Sequence, residues 1–263
     1  MKPMLAKELK DISAVRYPVM VQPKLDGMRA IWHEGELRTR NEKLIESVPS
    51  LIDFLTRECD GLSLDGELYS HDMGFNEIMS ICRRSKNVLP RKSIQYHVFD
   101  IPDVYQKNFE RQKTLHEYEE RRIPISSYLT IVPAKTVNNR EELEIAYRKY
   151  LEQGYEGIIL RNPQGCYEFR RTKSLLKYKP FLDGEFPCVG FVRGQGKYKD
   201  TLGAITIHTP GGNVEVGSGF SDYQRDIVWN NQGKFVGTKA TVKFQEYTES
   251  GKLRFPTFKS WRD

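Results

Sequence analysis

The segment Lys24-Leu25-Asp26-Gly27-Met28-Arg29 gathers an amine, a carboxylate and a guanidinium within a few residues. It falls between two strand-like runs, Val19 to Pro23 and Met28 to His33. A glycine between strands lets the backbone turn tightly, which brings the lysine, the carboxylate and the arginine to one strand-end pocket. A lysine amine titrates at about 10.4 and is protonated at neutral pH, so it becomes a nucleophile only where other cations lower that value. Further cations are therefore expected beside Lys24. Taken alone, the segment also reads as a surface hairpin with solvated charges.

Other pieces follow it in order. Asp65-Gly66-Glu67-Leu68 ends a strand with two carboxylates, and Tyr96-His97-Val98-Phe99-Asp100-Ile101 ends another with an aromatic beside an acid. Glu156-Gly157-Ile158-Ile159-Leu160-Arg161 is an acid entering an apolar strand. In Leu175-Leu176-Lys177-Tyr178-Lys179-Pro180 the two lysines share one face of an extended strand. Cations, carboxylates and an aromatic ring at strand ends together suit a nucleoside triphosphate.

The elements that must position these residues are α+β in texture. Val19 to Pro23, Met28 to His33, Leu62 to Tyr69, Ser93 to Asp100 and Gly157 to Leu160 read as strands. Pro49 to Cys59, Phe75 to Arg83 and Phe109 to Arg121 read as helices, as does Arg140 to Gln153 behind an Asn139 cap. After Pro180 the texture changes to short strands over Cys188 to Val192, Ala204 to His208, Asn213 to Val216, Thr238 to Gln245 and Arg254 to Lys259. Gly211-Gly212 signals a hairpin, and a single helix is expected over Asp222 to Asn230, capped by Ser221. Five strands and one helix fit a small β-barrel of the OB kind. The boundary is expected within Phe181 to Glu185, giving domains 1–184 and 185–263.

The bulk properties agree with a folded chain able to bury a sizeable core: 263 residues, 38% hydrophobic and 29% charged. The net charge of +6 favours a polyanionic partner. No apolar run approaches the roughly 18 residues that a membrane span needs, and the first ten residues carry three lysines with no hydrophobic stretch behind them, so a cytoplasmic protein is expected. Cys59, Cys82, Cys166 and Cys188 are widely spaced without a ligand-spaced histidine, which reads as reduced thiols and not a zinc module. Nothing signals oligomerisation, so a monomer is expected.

The ordered motifs resemble those of the covalent nucleotidyltransferase superfamily, which holds DNA ligases, RNA ligases and mRNA capping enzymes. The likeness runs from Lys24 to the last residue and implies an adenylation (nucleotidyltransferase) domain followed by an OB-fold domain. By that resemblance Lys24 is the nucleophile that attacks the α-phosphate of ATP to form a lysine–AMP phosphoramidate. Arg29, Lys177 and Lys179 are phosphate and ribose contacts. Glu67 is a ribose contact and, with Glu156, a ligand for a divalent ion, Mg²⁺ or Mn²⁺. Phe99 stacks on adenine with Ile159 on its other face, and Gln22 belongs to the same nucleotide-binding set. Arg40, in the Arg38-Thr39-Arg40-Asn41 turn, grips phosphate at the nick.

Within the superfamily three features resemble an ATP-dependent DNA ligase of minimal viral or bacterial type: Glu156-Gly157 where capping enzymes usually carry an aspartate, a terminal Arg254 to Asp263 run that looks like the last motif of such ligases, and Gly217-Ser218-Gly219-Phe220-Ser221-Asp222, which is similar to their OB domain. An RNA ligase, a capping enzyme or a non-catalytic nucleic-acid-binding OB protein are the alternatives. Arg262 in the final motif is expected to orient pyrophosphate, although this chain stops at Asp263 where many relatives add a lysine. With 23 residues before Lys24 and no cysteine clusters, ATP is the expected donor instead of NAD, and no separate DNA-binding domain is expected. Grip on nicked duplex DNA is expected from Arg83, Arg84, Lys86, Arg91 and Lys92, from Arg170, Arg171 and Lys173, and from Lys197 and Lys199. The last two sit in a short glycine- and lysine-rich loop where other small ligases carry a latch.

Overall fold

The computed structural model describes residues 1–84, 94–121, 128–248 and 250–262. The chain forms two compact units that divide between Tyr178 and Lys179.

In the first unit the strands are β1 (Leu5–Glu8), β2 (Val19–Lys24), β3 (Met28–His33), β4 (Glu36–Thr39), β5 (Leu64–Tyr69), β6 (Gln95–Asp100), β7 (Leu129–Ile131), β8 (Lys135–Val137), β9 (Gly157–Arg161) and β10 (Arg171–Tyr178). The helices are α1 (Pro49–Glu58), α2 (Phe75–Cys82), α3 (Asn108–Arg121) and α4 (Arg140–Glu152). The strands make two five-stranded sheets, ordered β1-β10-β9-β2-β8 and β4-β3-β5-β6-β7. Helices α2 and α3 pack on the second sheet and α4 on the first. The main core lies against the second sheet, where Trp32, Leu55, Leu64, Leu68, Ile78 and Tyr96 are buried. A smaller core, including Val21, Leu143 and Leu160, holds α4 to the first. Asn139 caps α4 as expected, its side chain accepting from Glu142 N.

β2 and β3 fall in different sheets, so Lys24 to Met28 is a crossing and not the surface hairpin that the isolated motif allows. Gly27 is required there by crowding: a Cβ would lie 2.3 Å from Leu68 O.

The second unit contains β11 (Leu182–Arg193), β12 (Leu202–Thr209), β13 (Gly212–Val216), α5 (Asp222–Asn230), α6 (Gln232–Phe235), β14 (Lys239–Phe244) and β15 (Thr257–Trp261). Its sheet runs β13-β12-β11-β14-β15, and Ser218 bridges Thr257 in parallel, bringing its ends together as in an OB barrel. Thr209 pairs with Gly212 across the hairpin signalled by the double glycine. Ser221 caps α5 in a full capping box with Gln224.

Three details differ from the sequence reading. The 184/185 boundary falls inside β11, because Leu182–Pro187 pair with β14 while the second half of the same strand pairs with β12. A second helix, α6, follows α5. The last strand begins at Thr257 instead of Arg254, because Phe255 adopts φ 52 and Arg254 N donates to Glu246 O in a separate turn.

Candidate active site

A cavity of about 240 Å³ opens between the two sheets of the first unit. Leu5, Ala6, Gln22, Lys24, Ile159, Arg161, Arg171, Leu175 and Lys177 come to it from the first sheet, and Arg29, Glu67 and Phe99 from the second. Arg40 reaches it from the turn after β4. Strand register explains the convergence. Ile159 lies opposite Gln22 on one side and Lys177 on the other, and Lys24 lies opposite Gly157, so residues from distant stretches form one row across β2, β9 and β10. The lining holds six cationic side chains and one carboxylate, Glu67, which suits a polyanion.

Lys24 Nζ is ion-paired with Glu156 Oε2, and the Glu156 main-chain N–H donates to Lys24 O at 3.1 Å, so side chain and backbone both tie the entry to β9 to the end of β2. The Lys177 ammonium is held below its ordinary range by burial and, against the pull of Glu8, by repulsion from Lys24, Arg171 and Arg40. The clustered cations expected around Lys24 are thus present. Burial pushes the Glu67 carboxyl up to about 7 although Arg29 and Lys24 pull it down.

Arg29 grips Asp65 through Nε at 2.6 Å and through Nη2, and donates to Met4 O at 3.1 Å. Tyr167 donates to the same carboxylate at 2.6 Å. The Arg29 guanidinium lies 4.5 Å from the Phe99 ring centroid, and that of Arg161 lies 5.6 Å from it. A base stacking on Phe99 therefore competes with guanidinium contacts.

Beneath the pocket runs a buried polar network that joins Gln22 to Asp100, Arg111 and Arg161, three residues to which sequence reasoning assigned no role. Asp100 accepts from Arg111 Nε at 2.7 Å and from Arg161 Nη1 at 2.5 Å. Arg161 Nε donates to Gln22 Oε1 at 2.5 Å, and Gln22 Nε2 donates to Val132 O at 2.9 Å. Burial alone would raise the Asp100 carboxyl, but Arg161 and Arg111 hold it below its ordinary value. Gln22 thus lines the pocket with its amide already engaged by the framework. Arg111 was findable: it follows Asn108 by three residues and precedes Leu115 by four, and all three are buried on one face of α3.

The remaining candidates scatter. Arg171 joins the pocket and donates to Ala6 O, and Arg170 pairs with Glu168 at 2.7 Å. Lys173 lines a second groove with Lys7, Arg16, Val19 and Leu160, on the face of the first sheet opposite Ile159 and Arg161. Arg83 and Arg84 are exposed after α2, while Lys86, Arg91 and Lys92 lie outside the described residues. In the second unit Lys179 Nζ donates to Gln245 Oε1 at 3.4 Å, Lys197 pairs with Asp222 at 2.6 Å, Lys199 is exposed, and Arg262 pairs with Glu185 at 2.8 Å. Among the described residues no group of three or more His, Cys, Asp or Glu side chains could hold a metal ion by itself. No helix of the described residues is long and apolar enough to cross a membrane.

Comparison with known proteins agrees with this geometry. A family model described as ATP dependent DNA ligase domain matches residues 3–179, and one described as DNA ligase OB-like domain matches residues 193–262. The chain is 29% identical over 246 residues to a DNA ligase of Haemophilus influenzae, covering 93% of this chain and 86% of that protein. It spans about half the length of several longer DNA ligases that it also matches. A solved Lig E DNA ligase superposes with a TM-score of 0.80 at 30% identity, covering 100% of this chain and 99% of that one. The Chlorella virus DNA ligase–adenylate superposes with a TM-score of 0.63 at 27% identity, covering 100% and 98%. Of the superfamily branches weighed from sequence, both family matches fall in the DNA ligase branch, and the chain belongs to the family of ATP-dependent DNA ligases.

Proposed function

We propose that this enzyme seals nicks in duplex DNA by carrying AMP on Lys24. The observation that carries the reading is the Lys24–Glu156 ion pair at the edge of a cavity lined by cations.

While paired with Glu156, the Lys24 ammonium has no lone pair to offer, so its proton must leave before it can attack. Glu156 Oε2 is the oxygen that Nζ already meets, so this carboxylate both aligns the amine and opposes its reaction. Lys177 repels Lys24, and Arg171 and Arg40 line the same cavity, so positive charge is crowded around the amine. The same cations receive the triphosphate and stabilise the charge that builds on the α-phosphorus. Attack forms the Nζ–P bond as the bond to pyrophosphate breaks, and pyrophosphate leaves with the electron pair. A 5′-phosphate oxygen at the nick then takes AMP from Lys24, whose amine regains a proton. Finally the 3′-hydroxyl attacks the 5′-phosphorus, AMP departs and a phosphodiester remains.

Two hard carboxylates, with no third ligand beside them among the described residues, fit a divalent ion that arrives with the nucleotide, since Mg²⁺ is commonly held by one or two carboxylates plus phosphate oxygens. Glu156 and Glu67 would hold it, and its charge would neutralise phosphate oxygens and compete with Lys24 for Glu156. A monomer acting in the cytoplasm is part of the same proposal.

The test is intact mass after incubation with ATP and Mg²⁺, followed by a chase with nicked duplex. One AMP per chain is expected, discharged on nicked but not intact duplex, with at least a thousandfold loss of labelling in Lys24→Ala. A Lys24→Ala protein that still takes up AMP overturns the assignment.

A further inference from the structure

The barrel contains one charged side chain that neither the nucleotide pocket nor packing alone explains. Arg225, on α5, is 7% exposed. Its Nη1 donates to Leu202 O at 2.7 Å and Gly203 O at 2.9 Å, and its Nη2 to Gly217 O at 2.6 Å. The guanidinium lies 4.4 Å from the centroid of Tyr198 and 5.6 Å from that of Phe220. Among the described residues no carboxylate forms an ion pair with it, and Nε is buried without a partner. A guanidinium stays charged at any working pH and is normally buried only against an opposite charge. Here it is spent on main-chain carbonyls and rings.

Those contacts converge on the basic loop between β11 and β12. Leu202 and Gly203 are the loop's exit and Tyr198 is its middle. The loop is wound on itself: Arg193 Nε donates to Lys199 O at 2.6 Å, Gly194 N to Thr201 O at 3.0 Å, and Thr201 N to Tyr198 O at 3.1 Å. At Gly194 a Cβ would lie 2.2 Å from Tyr198 O, so the turn admits no side chain there. From α5, Asp222 accepts from Lys197 Nζ at 2.6 Å and from Tyr198 OH at 3.1 Å. Lys199 stays exposed. Lys197 is held at a carboxylate, the kind of anionic oxygen pair that a phosphate group also presents.

We propose that Arg225 is a positioning residue for DNA engagement, holding loop 193–202 in one shape so that Lys197 and Lys199 meet the duplex backbone as a preformed surface. The inference rests on reading those two lysines as DNA contacts. A preformed loop avoids the ordering cost that a flexible basic segment pays on binding. The buried charge also acts on Asp222, the carboxylate that holds Lys197 and Tyr198, so α5 and the loop are joined by charge as well as by hydrogen bonds.

The test uses the full chain with Arg225→Lys, which keeps the charge but loses the planar fork, and Tyr198→Leu, which removes the ring from a half-buried loop site. Binding to a nicked duplex is measured by fluorescence anisotropy across a salt series, beside AMP labelling and thermal unfolding. Both variants are expected to bind about five- to tenfold more weakly at moderate salt and to lower the slope of log affinity against log salt by about one. Labelling with AMP is expected to match the wild type. Wild-type affinity and slope in both variants overturn the proposal. If Arg225→Lys loses labelling and thermal stability together, its defect is one of folding, and the proposal is then decided by Tyr198→Leu. A wild-type protein that takes no AMP, or ignores nicked duplex, breaks the ligase reading instead.

Discussion

In the first unit Arg111 and Arg161 are buried against Asp100 and Arg29 is half-buried against Asp65, whereas in the barrel Arg225 is buried against the carbonyls of Leu202, Gly203 and Gly217. Ion pairs lock geometry while the carboxylate offsets part of the buried positive charge, which suits a pocket floor that must hold Gln22, Phe99 and Arg29 in register. A carbonyl-bound arginine ties loops together and keeps its positive charge, which suits a surface meant for a polyanion. The same residue type thus serves catalytic framework in one unit and presentation of a loop in the other.

The comparison is tested most severely by Asp100→Asn, which leaves two buried guanidinium groups without their carboxylate. It should lower stability by about 3–5 kcal/mol, read as a drop in denaturant midpoint, because removing one partner strands the other charge. Arg225→Met should cost less, about 1–3 kcal/mol, since it removes donors and leaves partly covered carbonyls but strands no charge. Equal losses from the two substitutions would erase the distinction between the units.

A smaller effect concerns pH. His97 in β6 is pushed down to about 4, first by burial and then by His71, while an unfolded chain protonates histidine at about 6.5. Between those values the unfolded state binds the extra proton, so stability is full above about 6.5 and falls as pH drops toward 4. Asp100, held below its ordinary value, adds a further loss below about 4, where the unfolded chain takes its proton first. His97→Phe should keep the edge contact with Tyr69 while narrowing the difference in thermal midpoint between pH 7 and pH 5. An unchanged difference would show that His97 does not set this limb.

Much of the site was legible because its chemistry is written in short segments. Lys24, Arg29, Glu67, Phe99, Ile159 and Lys177 were expected in one pocket and line one pocket, and the Ser221 and Asn139 caps were found where local hydrogen bonding demands them. Lys173 shows where such reading stops. It sits two residues from Arg171, yet the two line cavities on opposite faces of the first sheet, and the shift in register between β1 and β10 at Ala6/Lys7 has no signature in composition. Arg225 was invisible for a related reason: an arginine in an amphipathic helix reads as solvated until the carbonyls it meets are known.

The sequence by itself determined the groups proposed to react, the order of the motifs, the helix caps and the change from α+β texture to barrel strands, because each depends on residues close along the chain. Only the tertiary structure decided that β2 and β3 part into separate sheets, that Asp100 joins Arg111 to Arg161, and that Arg225 holds a loop more than twenty residues upstream. Those outcomes depend on pairing between distant segments. Their energy comes from desolvation and register, which exist only once the chain has packed.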